Sequence, residues 1–318
     1  MSEKLSLREY YGKTLAELGR DNPDIVVLDA DLAGSTKTSV FRKEFPDRFF
    51  NMGVSEQDMM STAAGLATGG KTAFASSFAI FATGRAWEQI RQSICYPKLN
   101  VKVVSTHGGV TVGPDGPSHH ATEDIAVMRA IPNQTVIVPA DAYETAAAVK
   151  WAAGYKGPVY IRLSREKFPV IFDEDKSFEV GRSDRLRKGT DATIIACGLM
   201  THMAMEAAEL LEKEGDSVGV INMSTIKPLD RDAVITAAKE SGAIVTAEEH
   251  SVLGGLGGAV AEVAAESEPV PVLRVGVKDR FATSGPAEGL LKTCGLTAED
   301  IVSAVKRAME IRASLPSR

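Results

Sequence analysis

The chain has 318 residues, 44% hydrophobic and 25% charged, with a formal net charge of −6. That length implies two domains, each with enough chain to bury a core of its own. The acidic balance, the few aromatics and the lack of a lysine- or arginine-rich stripe argue against a nucleic-acid partner, and no apolar run approaches the roughly 20 residues that cross a bilayer.

The opening segment, MSEKLSLREYYGK, is charged and has no apolar h-region, so it does not read as a signal peptide and the expected location is the cytoplasm. Residues 6–20 have the spacing of an amphipathic helix, and IVVLDAD (25–31) that of a buried strand. A helix over about 56–69, a strand near 72–77 and a helix from about 79 to 94 follow. VKVVST (101–106) is a strand leading into a glycine-rich loop, and TVIVPA (135–140) is another strand. Asp141 is the expected N-cap of the helix AYETAAAVKWAA, and GPVYIRLSR (157–165) closes the series. Residues 173–189 are charged and poorly periodic, and read as a linker. The alternation then restarts: strands at ATIIACG, VGVINMS, AIVTAEE and VLRVGV, helices at MTHMAMEAAELLEKEG, 230–241, 286–294 and 298–312. The expected fold class is α/β, two three-layer α/β/α domains with mainly parallel sheets, spanning 1–172 and 190–318.

Ligands of open α/β sheets sit beyond the carboxyl ends of the strands. Three clusters fall there: Asp31–Ser35 after the first strand, His107–His120 after VKVVST, and Arg165 after VYIRLS. NMGVSEQDMMST (51–62) centres on Glu56, where a loop enters an apolar helix. Glu56 reads either as a first-turn acid behind a Ser55 cap or as a proton-relay carboxylate held away from water. Phe78 and Phe81, three apart, share a helix face and read either as core or as a stacking slot for a planar ring. HGGVTVGPDGPSHH (107–120) is a loop by its four glycines and two prolines, and it carries three of the five histidines. Adjacent His119 and His120 are poorly placed to share a metal, so no metal ligand is assigned. The three cysteines, Cys95, Cys197 and Cys294, are odd in number and far apart, and read as buried thiols. VLGGLGGAVAEVAAE (252–266) does not match G-x-G-x-x-G and reads as tight strand–helix packing.

Taken together, LDADLAGST, NMGVSEQDM, SSFAIFATGRAWEQIR, HGGVTVGPDGPSHHATEDIAVMRAIPN and LSRE resemble, in order and approximate spacing, the transketolase family. The match is to its pyrimidine-binding plus C-terminal domains and runs over essentially the whole chain. The resemblance implies thiamine diphosphate as cofactor, with Glu56 sharing a proton with a pyrimidine ring nitrogen, Phe81 and Phe78 forming the aromatic pocket, and Asp31 nearby. It implies that Arg8, Ser35, His107 and Arg165 bind a sugar phosphate, that Asp115 reads a donor hydroxyl, and that His119 contacts the reacting hydroxyls and carries protons. Two departures stand out: Gly84 occupies the position of a pocket tyrosine, and two glycines follow His107 in place of the more usual residues.

The family's metal and diphosphate motif, Gly-Asp-Gly followed further on by Asn, does not occur in this sequence. The resemblance therefore implies the C-terminal section of a split transketolase. An N-terminal partner subunit would hold Mg2+ and the diphosphate, and the assembly would be a heterotetramer that moves a two-carbon ketol unit from a ketose phosphate to an aldose phosphate. Three alternatives stay open on sequence: the beta subunit of a 2-oxoacid dehydrogenase, a deoxyxylulose-phosphate synthase-like enzyme, and a non-catalytic assembly subunit.

Overall fold

The computed structural model describes residues 3–316; residues 1–2 and 317–318, the outer ends of the two expected domains, lie outside it. The first helix, Leu7–Asp21, starts where the Ser6 hydroxyl accepts from the Glu9 amide. It buries Leu7, Tyr11 and Leu15, each one turn from the next, against the sheet. The strand Ile25–Asp29 is buried along its whole length, as a parallel strand covered on both faces must be.

The first sheet has seven strands in the order Thr225–Lys227, Thr135–Ile137, Val159–Arg162, Val101–Thr106, Thr72–Phe78, Ile25–Asp29, Phe49–Asn51. All pairings are parallel except that of Thr225–Lys227, which arrives antiparallel from the second half of the chain. The second sheet runs Val272–Val277, Ile244–Ser251, Ala192–Ala196, Val218–Asn222, Asp184–Arg187, parallel but for the last edge strand. Two large apolar clusters fill the layers, and each contains side chains from both halves: Tyr11 and Phe74 with Leu211 and Val245 in one, Met59 and Ile94 with Val234 and Val260 in the other. The halves therefore share their cores. Mainly parallel α/β architecture is what the alternation of elements implies.

Several segments differ from the sequence-based expectation: the short strands Phe49–Asn51 and Thr225–Lys227 of the first sheet were not expected, and two expected elements take another form. Residues 173–189, expected as a linker, contain the edge strand Asp184–Arg187. Three of its four residues are charged, which is common at a sheet edge and hides the strand from a search for apolar alternation. The stretch 79–94, expected as one regular helix, is instead a short helical turn, Trp87–Gln89, between two wide π-type turns, Phe81–Arg85 and Ile90–Cys95. Such turns insert an extra residue into the helical path and re-aim the side chains that follow.

Candidate functional site

Glu56 begins the helix Glu56–Thr68, and its side chain is 1% exposed. Ser55 precedes it, but its hydroxyl makes no capping bond, so the expected Ser55 cap is absent. The Glu56 carboxylate turns instead to Arg85, whose Nη1 donates to Oε2 at 2.7 Å. The same guanidinium lies 4.8 Å from the centroid of the Phe81 ring. The π-type turn through Gly84 delivers Arg85 to this point. A Cβ at position 84 would meet only the tip of Ile80, at 3.9 Å.

The strand register builds the aromatic wall. Phe78 pairs with Thr106 at the carboxyl ends of adjacent strands. The next residue, His107, takes a left-handed φ of 61° and stacks on Phe78 with centroids 3.7 Å apart. Phe81 lies nearly parallel to Phe78 at 6.3 Å, and His119 meets Phe81 edge-on at 5.1 Å. One face of Phe78 is thus occupied by His107, whereas Phe81 remains partly exposed. Phe78 is better placed to back the wall than to form one side of a slot.

Beyond His107, two arginines converge. Arg8 donates to the Ser35 carbonyl at 2.7 Å and to the Arg165 carbonyl at 3.1 Å. Arg165 donates to the Val112 carbonyl at 2.5 Å and lies 3.8 Å from the Asp115 carboxylate. The Arg8 Nε is buried without a partner. Burial and the Arg165 charge both pull the Arg8 pKa down. Burial, then the Arg8 and Arg165 charges, push His107 down to about 3, so its imidazole is neutral at physiological pH. It shares a hydrogen bond with the Thr106 hydroxyl through Nδ1 at 2.8 Å. Two crowded cations beside an unsatisfied N–H form a place that an anion would relieve.

Asp31 also has a left-handed φ, 64°, and joins not the rings but Asn51, whose amide donates to it at 2.9 Å. Its turn is shaped by Asp29, which the sequence reading missed. Buried Asp29 accepts from the Leu32 amide and from the hydroxyls of Thr36 and Thr38 at 2.6–2.9 Å, and burial raises its pKa. Nothing local in the sequence marks Asp29 apart from any strand-terminal acid.

The loop after His107 is held from the other half of the chain. The Thr111 amide donates to Oε1 of buried Glu249 at 2.7 Å, and the Ser284 hydroxyl donates to the Pro114 carbonyl at 2.6 Å. A Cβ at Gly109 would fall 2.2 Å from Glu249, and one at Gly108 2.6 Å from Arg162. The paired glycines after His107 follow from this close approach. Arg162 in turn pairs with buried Asp124 at 2.8 Å, which also accepts from the Tyr160 hydroxyl at 2.6 Å.

Other motifs resolve as packing. The glycine-rich opening of the helix Leu256–Ser267 is closed by Glu248, whose carboxylate accepts from the Leu256 and Gly257 amides at 2.7 and 2.8 Å. Cys95, Cys197 and Cys294 are free and buried. A cavity of about 620 Å3 is lined by Ala126, Arg129, Lys227 and Glu262 among others, none of them a site residue. Among the described residues no helix is long and apolar enough to cross a membrane.

Fold and site together define a two-domain α/β/α protein whose first sheet presents a buried acid, an aromatic wall and a cationic corner at its carboxyl edge. Residues 3–170 match the transketolase pyrimidine-binding domain and residues 181–301 the transketolase C-terminal domain. The chain is 52% identical over 307 residues to a Methanocaldococcus jannaschii protein described as "Putative transketolase C-terminal section", covering 96% of this chain and 95% of that one. It is 42% identical to the 6-deoxy-6-sulfo-D-fructose transketolase subunit SqwH of Clostridium sp., covering 96% of this chain and 94% of that protein. A solved structure described as a split gene transketolase, inactive beta4 tetramer, superposes with a TM-score of 0.91 at 56% identity, covering 97% of this chain and 99% of that one. Against human transketolase the identity is 39%, over 96% of this chain but only 49% of that protein. The chain belongs to the transketolase family. Its relatives include a transketolase section and a transketolase subunit matched over nearly their whole length, and the alternatives left open on sequence are not favoured.

Proposed function

We propose that this chain is the pyrimidine-side subunit of a thiamine diphosphate-dependent transketolase, active with a separate N-terminal subunit. The observation that carries the reading is the buried Glu56 carboxylate, joined through Arg85 to the Phe81 ring of the Phe78, Phe81, His107 and His119 cluster, with Arg8 and Arg165 converging beyond His107. These residues fit the cofactor's pyrimidine: a buried acid for a ring nitrogen and the partly exposed Phe81 for its face. When bound, thiamine diphosphate supplies the carbanion chemistry that ketol transfer between sugar phosphates requires.

Every other part of the work falls to side chains. Glu56 holds a proton at the pyrimidine ring nitrogen, the kind of general acid–base step typically worth about 10²–10⁴-fold. Phe81 orients the ring, and Phe78 fixes His107. Arg8, Arg165, the Ser35 turn and neutral His107 grip the sugar phosphate, and the unpartnered Arg8 Nε is a donor left for it. Asp115 accepts from a substrate hydroxyl, and His119 moves protons at the reacting hydroxyls. Asp31, on its Asn51-held turn, borders the cofactor.

The relatives named as section or subunit support the split organisation, because this chain spans nearly their whole length. On this reading the partner holds Mg2+ and the diphosphate, the assembly is a heterotetramer of two chains of each kind, and the setting is the pentose phosphate pathway. Three buried free cysteines suit a reducing cytoplasm. Calorimetry with thiamine diphosphate and Mg2+ tests the proposal: weak or no binding to this chain alone and tight binding once the partner is added. Tight binding to the chain alone would overturn the divided site.

A further inference from the structure

The loop that bears Asp115 and His119 does not hold its own shape. Its glycines take left-handed φ values, 89° at Gly109, 80° at Gly113 and 76° at Gly116, so the backbone alone has many alternatives to the observed path. Three contacts from the C-terminal half remove those alternatives. Glu249, 138 residues away in sequence, accepts from the Thr111 amide at 2.7 Å and fills the space a Gly109 side chain would need. Ser284 donates to the Pro114 carbonyl at 2.6 Å, next to Asp115. The Gly285 carbonyl and the Ser284 side chain lie 3.3 and 3.5 Å from where Cβ atoms of Gly113 and Gly116 would stand. The loop then closes locally, with the His119 amide donating to the Gly116 carbonyl at 2.9 Å. Glu249 is fixed by its own strand, since its carbonyl accepts from Arg162, which is buried against Asp124.

We infer that Glu249 and Ser284 are positioning residues for the sugar-phosphate site: the C-terminal domain clamps both ends of the 109–116 turn and so sets where Asp115 and His119 stand. The inference rests on the proposed function, in that it takes this loop to face the substrate. The clamp touches neither Glu56 nor Phe81 directly and reaches Phe81 only through the His119 edge, so loosening it acts first on the substrate contacts of Asp115 and His119. Loss of one anchoring hydrogen bond, net about 0.5–1.5 kcal/mol, corresponds to roughly 2- to 12-fold in affinity.

The experiment uses the complex with the diphosphate-binding subunit and compares wild type with Ser284→Ala, Glu249→Ala and Glu249→Gln. Ser284→Ala is expected to raise KM for a ketose phosphate about 2- to 12-fold with a smaller change in kcat and an unchanged Kd for thiamine diphosphate. Glu249→Ala should do the same more strongly, while Glu249→Gln, which keeps a carbonyl oxygen for the Thr111 amide, should recover most of the loss. Hydrogen exchange is the second readout: amides over 110–116 should exchange faster in Ser284→Ala. Should Glu249→Ala fail to fold, Ser284→Ala, on an exposed segment, carries the test. Unchanged KM and unchanged exchange in Ser284→Ala overturn the clamp, as does a parallel loss of cofactor affinity, which would mean a global effect. A wild-type complex with no turnover would sink the functional reading instead, and the exchange comparison would still decide the clamp.

Discussion

Arg85 donates to the buried Glu56 carboxylate at 2.7 Å while its guanidinium lies over the Phe81 ring at 4.8 Å. One half-exposed side chain thereby covers both the acid and the aromatic face that a pyrimidine would use. A guanidinium is planar, cationic and able to stack, so it satisfies the same two groups as a protonated aminopyrimidine. A ring nitrogen would need the same carboxylate oxygen and the same ring face, so the two compete for one place.

Cofactor binding should therefore displace Arg85. In the complex, Arg85→Gln is expected to tighten thiamine diphosphate binding by up to about fivefold, the measured worth of a partly exposed ion pair of about 1 kcal/mol. The subunit without cofactor should lose stability by a similar amount. Titration calorimetry and urea unfolding measure the two effects. Weaker cofactor binding in Arg85→Gln would mean that the arginine stays and helps.

Glu56→Gln preserves size and burial but cannot pass a proton. Turnover by the complex should fall about 10²–10⁴-fold, with a smaller change in cofactor affinity. Steady-state kinetics beside calorimetry separate the two. Undiminished turnover would favour a scaffold role for the chain.

His107 makes the fold acid-sensitive. Its pKa falls from 6.5 to about 3 on folding, chiefly through burial and then through the Arg8 and Arg165 charges. Between those values the unfolded chain binds a proton that the folded chain does not, so this contribution to stability is full above pH 6.5 and is lost as pH falls toward 3. The slope approaches about 1.4 kcal/mol per pH unit inside the window. Urea unfolding at pH 7, 5 and 4 should show a smaller acid loss for His107→Asn than for wild type. Parallel profiles would remove His107 as the cause.

Gly255 leaves room for the Glu248 carboxylate at the mouth of the helix Leu256–Ser267, since a Cβ there would lie 2.1 Å from Oε2. Gly255→Ala should destabilise by about 1–3 kcal/mol through overpacking, read as a lower Tm. Binding of a dinucleotide to this turn in either form would contradict the closed mouth.

The alternation of strand and helix was legible in the sequence because each element depends on near neighbours. Asp141 was expected as an N-cap, and its carboxylate accepts from the Glu144 amide at 2.8 Å. It also accepts from the amides of Ile171 and Phe172, at 2.8 Å each, a second role that no local pattern announces. The edge strand Asp184–Arg187 was hidden by its charges, and the π-type turns by a composition that suits an ordinary helix. Arg85 lies within one of the quoted family segments, yet nothing in that segment says it meets Glu56, 29 residues earlier.

Sequence alone determined the class of fold, the order of the main buried strands and longer helices, and the family, since periodicity, capping and ordered motifs are properties of short stretches of chain. Tertiary structure decided the neighbours: His107 on Phe78 through strand register, Arg85 on Glu56 through a widened turn, and Glu249 under a loop 138 residues away. Those pairings depend on how sheets align and how the two halves share their cores, and a linear pattern carries no record of either.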